Sequence, residues 1–103
     1  MIDKEKIQAL AAEELADANT KHPPTFNSMH EAYAVLKEEL EEAAEELEMC
    51  RERLDMLWLC VKNDDDVLIN KNLGYIKAYA VRAVQEFVQV VAMCDKALNC
   101  TEE

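Results

Sequence analysis

The twelve residues from Lys37 to Glu48, KEELEEAAEELE, hold seven glutamates, and their spacing decides what such density can do. Glu39 and Glu42 are three apart, so on a helix their carboxylates project from adjacent turns toward one point. With Glu38 they write an EExxE pattern. Paired hard oxygens at that separation suit magnesium, which takes carboxylate, water and phosphate oxygens as ligands. The bland alternative is a solvated helix face, and a second pair weighs against it. Between Ala78 and Cys94 the polar side chains besides Tyr79 are Arg82, Gln85, Glu86 and Gln89, all on one narrow stripe of an otherwise apolar segment. Glu86 and Gln89 repeat the three-residue spacing there. An ionised glutamate in such surroundings needs a partner, because burying a lone carboxylate is costly. Glu52 and Asp55 form a further ExxD pair, but the helical rise puts them about 15 Å beyond Glu42 on the same helix, too far to close one site with it.

These groups need long, regular elements to hold them. One glycine and two prolines in 103 residues leave few turn formers, so the chain reads as a few long helices. Ile7, Leu10, Ala11, Leu15 and Ala18 recur at three- and four-residue steps, predicting a short amphipathic helix over about 3–17. Pro23 and Pro24 stop it and leave residues 19–27 as a linker. Ser28 with Glu31 is a capping box that opens a second helix. Along it Tyr33, Leu36, Leu40, Ala43, Leu47, Cys50, Leu54, Leu57 and Val61 alternate strictly by threes and fours, a heptad seam over a helix about 50 Å long. Asn63–Asp66 breaks the pattern, one aspartate capping a third helix that runs to about Leu98 with an irregular start before Gly74. Trp58 and Tyr79, at helical spacing, read as core or interface residues.

The expected fold is all-α: a long antiparallel helical hairpin after a short N-terminal helix, with residues 1–27 as helix and linker and 28–103 as the helical domain. Counting outward from the turn, Glu42 and Glu86 each lie about 22 residues from its centre, so antiparallel packing brings the glutamate pairs level. The third helix is apolar on nearly every side, and two partner helices in one chain are too few to surround it. A homodimer or homotetramer that completes a helical bundle is expected.

The formal charge of −11 argues against nucleic-acid polymers and anionic membrane surfaces as partners, both of which would be repelled. Polyphosphates would be repelled as well unless a divalent cation intervened. Cys50, Cys60, Cys94 and Cys100 match neither a zinc pattern nor a secreted disulfide framework and read as reduced thiols. Residues 1–18 lack the apolar run of a signal peptide, and no stretch is long and apolar enough for a membrane span. A cytoplasmic protein is expected.

The stretch FNSMHEAYAVLKEELEEA, with EFVQVVAMCDKAL further on, resembles the MazG-like all-alpha nucleoside triphosphate pyrophosphohydrolases, in particular small members from phages and prophages; the similarity covers most of Phe26–Leu98. The resemblance implies magnesium held by EExxE on one helix and ExxD on the next, with hydrolysis of a nucleoside triphosphate to monophosphate and pyrophosphate. Carried onto this chain, the ligands are Glu39, Glu42, Glu86 and Gln89, the last standing where the family has aspartate. An amide oxygen coordinates magnesium more weakly than a carboxylate. Glu38 and Glu41 are both candidates for the general base, and Arg82, on the stripe, for binding phosphate. The competing expectation is a catalytically degenerate nucleotide-binding protein or a purely structural helical oligomer, in which the glutamates form a solubilising face.

Overall fold

A computed structural model of the chain describes residues 1–101, with side chains to Asn99; the Cys100 thiol lies outside them. Three helices follow one another, α1 (Lys4–Lys21), α2 (Met29–Lys62) and α3 (Asp66–Thr101), and there is no strand among the described residues. None of these helices is long and apolar enough to cross a membrane.

Each boundary has a local cause. Asp3 caps α1, its carboxylate accepting from the Lys6 N–H at 3.0 Å. The helix continues one turn past the predicted end, through an Asp17–Lys21 pair at 3.2 Å, before the prolines stop it; the linker is therefore shorter than residues 19–27. At α2 the Ser28 hydroxyl accepts from the Glu31 N–H at 3.2 Å, the first half of the capping box. The second half is displaced by one residue: the Glu31 carboxylate accepts from the Asn27 N–H at 3.4 Å and from the Asn27 amide at 2.9 Å, instead of from Ser28.

The turn between α2 and α3 is a Schellman motif carried by an aspartate. Asp64 has φ 52°, a left-handed conformation in which glycine is usual and Asp is tolerated. The Asp64 N–H bonds Val61 O and the Asp65 N–H bonds Cys60 O, both at 3.1 Å. Asp65 then caps α3 through its carboxylate, which accepts from the Leu68 N–H at 3.2 Å. Closing one helix and opening the next within three residues, Asn63 to Asp65, leaves no room for the irregular start expected before Gly74. The glycine has nothing near the position its Cβ would take, so it is tolerated as an ordinary exposed helical residue.

The chain divides into two compact units, 1–41 with 86–103, and 42–85. In the first, α1 and the linker pack with the start of α2 and the end of α3. Its core is Ala11, Phe26, Ala32, Ala92, Met93 and Ala97, with Leu15, Val35, Leu36 and Val88 against it. Alanines dominate because helices carrying them at the contact can approach closely. The second unit is the hairpin end, where α2 and α3 run antiparallel: the Cys50 thiol reaches Ile76 O at 3.8 Å, Arg53 lies 4.4 Å over the Tyr75 ring, and the Asn72 amide meets Cys60 Sγ at 3.6 Å.

The heptad seam splits into two rows. Leu36, Ala43, Cys50 and Leu57, seven apart, are buried or half-buried, whereas Tyr33, Leu40, Leu47, Leu54 and Val61, also seven apart, are all exposed. In that second row exposure runs from 42% at Val61 to 66% at Tyr33. Trp58, at 60%, lies outside the core.

Candidate metal and ligand site

Glu39 and Glu86 come from α2 and α3, at points the antiparallel register brings level. Within the first unit a carboxylate oxygen of Glu39 comes within 4.8 Å of one of Glu86; Glu42, one turn along α2 from Glu39, belongs to the second unit. Glu39 and Glu86 are half-buried. Two carboxylates this close repel one another, and a bound cation would relieve that repulsion. All the donors are hard oxygens, which fits magnesium or calcium and not a thiolate-seeking metal.

The remaining sequence candidates separate. Gln89, one turn beyond Glu86, lines the same cavity as Glu39, and its amide nitrogen donates to Glu14 Oε2 at 2.6 Å. Glu38 is exposed. Glu41 is exposed and accepts from Lys37 at 2.6 Å; that hydrogen bond, with the charge of the carboxylate, raises the Lys37 pKa above its ordinary value. On α2 Glu41 lies some 200° around the helix from Glu39, on the side away from it. Arg82 is exposed and lies 5.6 Å over the Tyr79 ring, so its guanidinium is partly committed to that contact.

Beside Glu39 the first unit encloses a cavity of about 400 Å³ under the α1–α2 linker, within the size range of small-molecule sites. Ala18, Val35 and Met93 supply apolar wall, and His22, Thr25, Asn27, Glu31, Gln89 and Lys96 join Glu39 in the polar lining. Lys96 is 6% exposed, with its ammonium 4.6 Å from the Phe26 ring centroid. Two features of the site escape the sequence reading, Glu14, which holds the lining residue Gln89, and Lys96. Glu14 is brought in by a contact 75 residues long in sequence, which no local pattern announces. Lys96 had a signal: it continues the stripe of Glu86, Gln89 and Met93, just past the segment whose polar residues define that stripe.

Comparison with protein-family models, with curated proteins and with solved structures finds no match to this chain.

Proposed function

We propose that the chain is a magnesium-dependent nucleoside triphosphate pyrophosphohydrolase of the MazG-like kind, working as a homo-oligomer. The observation that carries the reading is the approach of Glu39 and Glu86, one oxygen each within 4.8 Å, from two helical segments far apart in sequence. A solvated face would spread its carboxylates to lower their repulsion. The family resemblance of the EExxE segment supports the same assignment, and the adjoining cavity gives a nucleoside somewhere to sit.

Glu39, Glu42 and Glu86 would hold the cation, with Gln89 adjoining. When bound, magnesium would neutralise phosphate oxygens and make an attacking water more acidic. This also answers the charge problem, since a chain of net charge −11 repels a free triphosphate. The general base falls to Glu38 in this reading, because Glu41 is taken up by Lys37 on another side of α2. Oligomerisation rests on the exposed row Leu40, Leu47, Leu54 and Val61: leaving such side chains in water forfeits roughly 1.5–3 kcal/mol each relative to full burial, and a second copy carries the matching row.

One observation favours the rival, a non-catalytic helical oligomer: the Gln89 amide already serves Glu14, which ties it to α1. Calorimetric titration of magnesium, alone and with a non-hydrolysable nucleoside triphosphate, followed by a pyrophosphate-release assay, separates the two. Glu42→Gln and Glu86→Gln should each weaken magnesium binding by about tenfold or more with helicity unchanged. Unaltered magnesium affinity in both variants would sink the site.

A further inference from the structure

The cavity under the linker contains a cation that the hydrolase reading leaves unused. Lysine is almost never fully buried unless it is paired. Lys96 is 6% exposed, yet it belongs to neither of the ion pairs formed among the described residues, Lys21–Asp17 and Lys37–Glu41. The two amide side chains in the same lining are already spent on carboxylates, Asn27 on Glu31 and Gln89 on Glu14. The Phe26 ring holds the ammonium from one side at 4.6 Å. A cation–π contact fixes a lysine's position without consuming all its N–H donors.

Position says which part of a ligand those donors meet. Gln89 and Lys96 both line the cavity, and seven residues of α3 separate them, about 10 Å along the helix. Glu39, from the carboxylate cluster, lines the cavity as well. A nucleotide whose phosphates lie at that cluster would therefore reach Lys96 with its base and not with its phosphates.

We propose that this cavity is the base pocket and that Lys96 selects nucleotides whose base carries a carbonyl oxygen where adenine and cytosine carry an amino group. The proposal rests on the hydrolase reading. Its chemistry is that of donors alone: an ammonium has three N–H groups and no acceptor. Guanine O6 and the O4 of thymine or uracil accept from it, whereas the amino groups of adenine and cytosine at the same edges are themselves donors. Against those amino groups the buried ammonium would face a donor in place of an acceptor, the kind of mismatch by which enzymes discriminate strongly.

The test is calorimetric titration of the full chain with magnesium alone, and then with non-hydrolysable guanosine, uridine and adenosine triphosphates in magnesium. The wild-type chain should bind the guanosine and uridine compounds at least about tenfold tighter than the adenosine one. Lys96→Met, which keeps the stem and removes the charge, should bring the three within about twofold to threefold of each other while magnesium affinity stays the same. A wild-type chain that does not discriminate, or a variant that keeps the preference, overturns the proposal. Should the variant fail to fold, the Lys96 side-chain ammonium resonance of the wild-type chain decides: it should move on adding guanosine or uridine and stay still with adenosine. Should magnesium not bind at all, the hydrolase reading fails, and the same nucleoside measurement, made without metal, upholds or overturns the pocket by itself.

Discussion

The two units solve the same burial problem with different resources. The first has three helical segments and a linker to draw on, and it buries Ala11, Phe26, Ala32, Ala92, Met93 and Ala97 within itself. The second has only the paired ends of α2 and α3; its buried residues are Ala43, Cys60 and Asn72. Leu47, Leu54, Trp58, Val61, Val67, Val81 and Val84 remain more than two-fifths exposed there. A two-helix hairpin has one contact face per helix, and an amphipathic stripe wider than that face stays in water. The lesson is that this chain supplies a third layer for one unit and leaves much of the apolar surface of the other exposed; the cavity and the carboxylate pair Glu39–Glu86 sit in the first.

The most damaging way to probe the difference is to charge the uncovered row. Leu54→Glu should dissociate the proposed oligomer, seen as a halved or smaller mass by light scattering, and lower the melting temperature by more than about 8 °C, the equivalent of at least one or two buried leucines. A chain that is already monomeric and tolerates the charge would remove the contrast between the units. Next in size is a change to the complete unit. Ala32 is fully buried, so Ala32→Leu overpacks the core there and should cost about 1–3 kcal/mol in chemical denaturation. An equal substitution at an uncovered position would not have that cost. The smallest effect is expected inside the second unit. Asn72 is 5% exposed; its amide donates to Leu68 O at 2.9 Å, but its carbonyl oxygen is buried with no partner. Asn72→Leu removes that unsatisfied acceptor and should raise stability by about 1 kcal/mol. A loss of stability would mean that Asn72 contributes more through Leu68 and Cys60 than its orphan oxygen costs.

Much of the fold is legible in particular residues. Ser28 and Glu31 start α2, the prolines end the segment before it, and the aspartates of the turn cap α3, because each acts on backbone groups within a few residues of itself. The errors lie where a local rule meets an equally good local alternative: Glu31 satisfies Asn27 in place of Ser28, and α1 gains a turn from Asp17 and Lys21. Of the site, the meeting of Glu39 and Glu86 follows from counting outward from the turn. Glu14 and the burial of Lys96 do not follow, since both depend on where α1 and the linker dock.

What the sequence by itself determined is the set of helices, their caps and the three-residue spacing of the carboxylates, all properties of neighbours along the chain. What only the tertiary structure decided is which of the two heptad rows is buried, that Lys96 lies inside over Phe26, and that a cavity opens beside Glu39. Those depend on how three helices share one apolar surface, and helical periodicity states only that a residue lies on a stripe, not what covers it.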